Sequence, residues 1–218
     1  WQYEAALFCC DRNEIKAYML RRLKPGLGGG KTIFVTVDEV ASAHIKELAA
    51  VYPVLNADKA KDADMRFCRF IEGVFDKRIV SSVFLTGEGF ENNWYPTSLR
   101  VLCNGRRAFI GNNLYSKGAC YTAYRKMFMH IEDPVYLSED KLTDQISVNM
   151  RVNGQEMWYP IVSWGSHWYE SNNQWEVLLE DTEDIELHIE SLVQGTLKTE
   201  VIPLGRLPKR GEYSMRLQ

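Results

Sequence analysis

Residues 79–124 read IVSSVFLTGEGFENNWYPTSLRVLCNGRRAFIGNNLYSKGACYTAY. An apolar run (Ile79, Val80, Val83, Phe84, Leu85) stops at a turn, Thr86 to Phe90, that carries Gly87 and Gly89. Glycine suits such a turn for two reasons: it adopts positive φ without a Cβ penalty, and it lets the backbone come close to whatever lies against it. Pro96 to Cys103 then predicts a helix, Ala108 to Ile110 a short strand, and the stretch around Gly118, Ala119 and Ala123 a second helix rich in small residues. A strand, a glycine turn, a helix, a strand and a small-residue helix follow one another within 46 residues.

Working outward, the N-terminal side predicts more α/β construction. Ile15, Tyr18, Met19 and Leu23 lie at helical spacing with Asp11 as an N-cap, which predicts a helix over 11–23 that Pro25 ends. TIFVTV at 32–37 predicts a strand, and Asp38 opens a helix with Val40, Ile45, Leu48 and Val51 on one face, ended by Pro53. Asp62 to Phe75 predicts a further helix whose apolar stripe is Met65, Phe67, Phe70, Ile71 and Val74. Strands alternating with helices of this length imply a largely parallel sheet.

From about Pro134 the period changes to two. QISVNMRV at 145–152 alternates, Asn153-Gly154 is a two-residue hairpin turn, and 155–164 returns as the partner strand, with Pro160 confined to an edge or bulge. Further strands are predicted at 175–180, 184–193, 197–204 and 212–217, so this part reads as an antiparallel β-sandwich. Charge divides at the same place: residues 1–133 hold 19 Lys+Arg against 15 Asp+Glu, and residues 134–218 hold 7 against 14. Two units are predicted, 1–133 and 134–218.

In its order of elements the 79–124 segment resembles the end of the second ATPase lobe in the actin, Hsp70 and sugar-kinase superfamily, and it is similar to the C-terminal part of bacterial proteins of that superfamily. The resemblance implies an incomplete actin/Hsp70-like lobe with a ribonuclease-H-like fold, followed by the β-sandwich. It implies that the turn Thr86, Gly87, Glu88, Gly89, Phe90 lies on the adenosine side of a nucleotide, with ATP and Mg bound in the full-length parent. It also implies that the last helix packs closely through its small residues. The superfamily pattern has two adjacent glycines followed by a small residue and a hydroxyl, whereas here Glu88 separates the glycines and Phe90 stands near the hydroxyl position. Catalysis in the superfamily draws on both lobes, so this chain by itself is not expected to hydrolyse ATP. The alternative is a non-enzymatic interaction protein built on a degenerate ATPase-like scaffold.

Other motifs carry less. PGLGGGKT at 25–32 ends like a phosphate loop, but it follows a predicted helix and opens a strand, the reverse of what that motif needs, so it reads as a connection. His44, His130, His167 and His188 have no partner at metal-ligand spacing, and Ser166-His167 lacks the context of a catalytic triad. Five cysteines (Cys9, Cys10, Cys68, Cys103, Cys120), an odd number without repeated spacing, predict reduced thiols and a cytoplasmic protein. The Arg21-Arg22 and Arg106-Arg107 pairs are too short to mark a nucleic-acid surface and read as solvated. No apolar run reaches the roughly 18 residues of a membrane span. The chain opens at Trp1 without an initiator Met, which reads as a piece of a longer protein.

Trp158, Tyr159, Trp164, Trp168, Tyr169 and Trp175 crowd into 18 residues. Three readings stand: Trp158 and Trp175 fill the sandwich core while the 164–174 loop covers one end; Trp164, Trp168 and Tyr169 form a surface for a protein or peptide partner; or the rings stack on a sugar.

Overall fold

The computed structural model describes residues 4–25, 32–50, 56–111, 113–129, 134–171, 174–180, 183–205 and 212–217. The chain forms two compact units, Trp1–Arg22 with Val35–Asp133, and Leu23–Phe34 with Pro134–Gln218.

The first unit is a mixed sheet with helices. Its strands are β1 (Glu4–Asp11), β2 (Glu14–Leu23), β3 (Phe34–His44), β4 (Val80–Thr86) and β5 (Arg107–Ile110), and its helices are α1 (Ala57–Phe75), α2 (Pro96–Cys103) and α3 (Leu114–Tyr124). The strands lie in the order β5-β4-β1-β2-β3. β4 is parallel to β1 and to β5, while β2 runs antiparallel to β1. At one end Asn13 accepts a bond from the Ile45 N–H at 2.8 Å, and towards the other Arg21 pairs with Asp38, so β2 and β3 are antiparallel as well.

Two predicted helices are strands here. Over 14–23 the buried positions are Ile15, Ala17 and Met19, all at 0% exposure, a period of two that the larger side chains at 18 and 23 disguise as helical. Backbone pairing from Ala5↔Leu20 to Asp11↔Glu14 fixes that period, and the chain reverses at Arg12, which takes φ +54°. After Asp38 the chain does not turn into a helix but continues as β3 to His44, held beside β2 by the Arg21–Asp38 pair. Only past His44 does it coil, in a short 3-10 turn (Lys46–Ala50) that buries Ile45 and Leu48. Val51 and Pro53 lie outside the described residues, as do 26–31, His130 and Asn172-Asn173.

α1 is the helix expected over 62–75, begun five residues earlier because the Asn56 side chain accepts the Asp58 N–H at 3.0 Å. Its buried face is Ala63, Asp64, Phe67, Ile71, Val74 and Phe75. Phe8 of β1, fully buried, meets Phe67, Phe70 and Phe75 edge-on at 5.6, 6.1 and 5.9 Å between centroids. Phe67 in turn meets Phe90, Trp94 and Tyr95, which bring in the connection from β4 to α2.

Asp64, 3% exposed, fastens that connection. α2 starts at Pro96 with no capping bond from its own N-cap residue, Tyr95. The Asp64 carboxylate takes the vacant role, accepting the Thr97 N–H at 2.7 Å and the Ser98 N–H at 2.8 Å, while the Ser98 hydroxyl donates to the Asp64 carbonyl at 3.0 Å. At the other end of α2, Arg106 donates to the Val101 and Asn104 carbonyls and lies over the Phe75 ring, so it is not the solvated residue its sequence context predicts.

The second unit is β-rich. A short β6 (Val135–Tyr136) begins it, followed by β7 (Asp144–Val152), β8 (Gln155–Val162), β9 (Trp175–Glu180), β10 (Asp184–Ser191), β11 (Thr196–Pro203) and β12 (Glu212–Leu217). β11-β10-β7-β8 form an antiparallel sheet, and β12 pairs with β9 as a separate antiparallel ribbon. The turn between β7 and β8 is the predicted one, with Asn153 at φ +50° and Gly154 at φ +82°. Trp158 departs from expectation: it is half-buried and stacks on His188 of the same sheet face instead of filling a core. The side chain of Trp175 lies outside the description.

Removing the buried carboxylate tests this arrangement. Burial pushes the Asp64 carboxyl up, but the bonds from Ser98 and Thr97 outweigh it and hold the group below its ordinary value. Its stabilising effect is therefore fully present above the ordinary carboxylate value and disappears as pH falls through the lower folded-state value. Asp64→Ala is expected to cost about 1–3 kcal/mol in urea denaturation at neutral pH, and Asp64→Asn to flatten the acid limb of the stability curve.

Candidate functional site

In open α/β sheets ligands bind beyond the carboxyl ends of the parallel strands. Here that edge is made by the ends of β1 (Cys10, Asp11), β4 (Thr86, Gly87) and β5 (Ile110, Gly111), where the Gly111 N–H donates to the Leu85 carbonyl at 3.1 Å.

The five residues of the predicted nucleotide turn meet different surroundings. Gly87 has φ +101°, and a Cβ there would meet the Cys10 carbonyl oxygen at 2.1 Å. A Cβ on Gly89 would meet Cys10 Sγ at 2.2 Å. Both glycines are thus required by packing over the end of β1. Burial pushes the Cys10 thiol up to about 12, so this contact is with a neutral sulfhydryl. Phe90, 3% exposed, lies in the Phe67 cluster. The carbonyls behind it are bound internally: Trp94 Nε1 donates to Gly89 O at 2.7 Å, and the Tyr95 hydroxyl to Phe90 O at 3.2 Å. Thr86 is buried, and Glu88 is the exposed member.

Sequence reasoning missed the β1–β2 turn because it read 11–23 as a helix. Asp11, Arg12, Asn13 and Glu14 form a two-residue hairpin at this same edge. It contains no glycine, and its left-handed position is taken by Arg12 at φ +54°. Asp11, Glu14 and Glu88 are exposed carboxylates, and Lys16 is engaged by Glu14 and Glu39. The N-terminus of α2, the other natural anion site here, already holds Asp64. The exposed carboxylates of this edge stand beside the exposed Arg12, and its helix terminus is filled from within. Among the described residues no group of three His, Cys, Asp or Glu could hold a metal ion.

The small-residue helix also departs from expectation. Gly118 is exposed, with nothing within 4 Å of a Cβ built on it, and α3 buries no side chain.

In the second unit the aromatic loop divides. Trp164 is an anchor: its Nε1 donates to the Glu190 carbonyl at 3.1 Å and its ring meets Phe34 edge-on at 6.2 Å, in a small core with Leu137 and Leu192. Gly165, at φ +74°, brings the chain against Val135 and Phe34, where a Cβ would have no room. Trp168 and Tyr169, by contrast, are 64% and 56% exposed. A clamp not visible in the sequence holds them. His167 Nδ1 lies 2.7 Å from Asp140 Oδ2, Ser138 donates to the same carboxylate, and the Trp168 N–H donates to the Asp140 carbonyl at 3.1 Å. The Ser138 hydroxyl bond, aided by His167, holds the Asp140 carboxyl below its usual range. Residues 27 positions apart are joined here, and no local motif announces the pair.

Comparison with known proteins adds a family. The model of the family of unknown function DUF5716, C-terminal, matches residues 1–139, and the model of a domain of unknown function, DUF8552, matches residues 141–218. The chain belongs to the DUF5716 C-terminal family. No curated protein matches it. Among solved structures, the Aquifex aeolicus member of the Ppx/GppA protein family aligns at 8% identity and TM-score 0.33 over 93% of this chain and 52% of that one. The type II variant of the Aquifex aeolicus Ppx/GppA phosphatase aligns at 9% identity and TM-score 0.31, over 93% and 53%. The chain spans about half the length of these structures, and superpositions at such scores do not establish a common fold. No described helix is long and apolar enough to cross a membrane.

Because Gly87 is fixed by Cys10 and by its own φ, Gly87→Val is expected to destabilise the protein by at least about 1–3 kcal/mol with no ligand present, whereas Glu88→Ala leaves the denaturation midpoint within error. Likewise Trp168→Ala is expected to leave the melting temperature nearly unchanged, and Trp164→Ala to lower it by several degrees.

Proposed function

We propose that this member of the DUF5716 C-terminal family is the C-terminal portion of an actin/Hsp70-like protein, in which the first unit is a degenerate second lobe serving as scaffold and the second unit binds a protein or peptide partner. The observation that carries the proposal is the sheet order β5-β4-β1-β2-β3, with β1, β4 and β5 parallel and β2 antiparallel to them. That order, with α1 entering β4, α2 between β4 and β5 and α3 following, resembles a ribonuclease-H-like lobe. Support for a scaffold, as opposed to a working nucleotide site, comes from the strand edge: both turn glycines are filled against Cys10, and the helix terminus is taken by Asp64. The exposed Trp168 and Tyr169, held by the Asp140–His167 clamp, supply the large rigid side chains from which partner-binding hot spots are made.

The second reading keeps the nucleotide, with Thr86 to Phe90 on its adenosine side and ATP and Mg held in the full-length parent by residues outside this chain. What favours it is the position of Gly87 and Glu88 at the carboxyl edge of the parallel strands. Isothermal titration of the full-length protein with Mg-ATP separates the two. The scaffold reading expects no saturable heat. Saturable binding that changes about tenfold or more on Glu88→Arg would establish the second reading instead. On either reading the 218-residue chain turns over no ATP in a phosphate-release assay.

A further inference from the structure

The second unit is acidic, with 7 Lys+Arg against 14 Asp+Glu over 134–218. Part of that excess lies in the two segments that hold the exposed rings: 138–144 and 163–171 contain Glu139, Asp140, Asp144 and Glu170 against one base, Lys141. The segments are tied together by the Asp140 carbonyl, which accepts the Trp168 N–H, and by the Asp140–His167 pair. Asp140 is taken up by Ser138 and His167, whereas Glu139 and Glu170, both exposed, have no basic partner among the described residues. Glu139 adjoins the residue that binds Trp168, and Glu170 closes the same short 3-10 turn as the two rings.

The rings themselves have a defined geometry. Trp168 and Tyr169 stand with their planes at 84° and centroids 5.6 Å apart, and Tyr169 is backed by His167, stacked on it at 5.0 Å and 24°. Clamped from behind, the pair has little freedom left to lose when a ligand docks on it. Each aromatic face carries the negative part of the ring quadrupole, so a cation set into the angle between two such rings is attracted by both. Carboxylates in the same segments add to that attraction, and an apolar anchor would gain nothing from them. No described cation of this chain lies over these rings in the way that Arg106 lies over Phe75.

We propose that Trp168 and Tyr169 receive a lysine or arginine side chain from a basic peptide segment of the partner, with Glu139 and Glu170 as its counter-charges. The proposal rests on the reading that the second unit binds a protein or peptide, and it adds what that partner presents.

The probe is a display library of short random peptides selected on the 218-residue chain, with the selected peptides then titrated by fluorescence anisotropy. Peptides that carry Lys or Arg at a shared position are expected. Replacing that cation with norleucine should weaken binding about tenfold, and so should Trp168→Leu, which keeps apolar bulk but removes the ring. Glu170→Lys should weaken it about tenfold as well, whereas Glu186→Lys, the same charge change on β10, should leave it within about twofold. Equal losses from the two charge reversals would reduce the effect to net charge and overturn the proposal, as would full affinity with Trp168→Leu. Selected peptides that share no cation, yet lose binding on Trp168→Ala, overturn it while leaving the partner-binding reading standing. If no peptide is selected, or none loses affinity on Trp168→Ala, both fall.

Discussion

Phe67 sits where the first unit is joined. Its ring meets Phe8 on the central strand, Phe90 in the glycine turn, and Trp94 and Tyr95 in the connection to α2. One turn of helix away, Asp64 binds the first free N–H groups of α2. A single face of α1 therefore fixes the sheet, the turn and the next helix at once. Truncating an enclosed ring of this kind costs about 3–5 kcal/mol in comparable cores, and here the loss would reach three elements together.

That constraint changes the meaning of the glycines. In a nucleotide-binding turn, glycine admits a ligand; in this turn it admits Cys10. Phe90 faces into the aromatic cluster, and the Gly89 and Phe90 carbonyls are bound by Trp94 and Tyr95. The turn is thus built as part of the core, with Glu88 as its exposed member.

Much of this was legible in the sequence, for physical reasons that differ between elements. The β7–β8 hairpin could be read because Asn153-Gly154 is a turn whose φ values few other residues accept. The β4 to α3 region could be read because proline and glycine punctuate it at Gly87, Pro96, Gly105 and Gly111. β2 could not, since Ala17 supplies a buried position without looking apolar enough to break the helical pattern of its neighbours. The same misreading hid the Asp11–Glu14 hairpin at the carboxyl edge of the parallel strands. The Asp64 cap and the Asp140–His167 clamp join residues 34 and 27 positions apart, where no local pattern records the pairing. Trp164 and Trp168 look alike in sequence; only the bond to Glu190 and contact with Phe34 separate anchor from exposed surface.

The central claim is that the turn and the neighbouring hairpin are held by the protein's own core and not organised around a nucleotide. Hydrogen–deuterium exchange of the full-length protein with and without Mg-ATP examines those backbone amides directly. The account predicts that the amides of residues 11–14 and 86–90 exchange at the same rates in both conditions, with Phe90 already slow because its N–H is bonded to Gly87 O at 3.1 Å. Protection of both segments on adding Mg-ATP would contradict it.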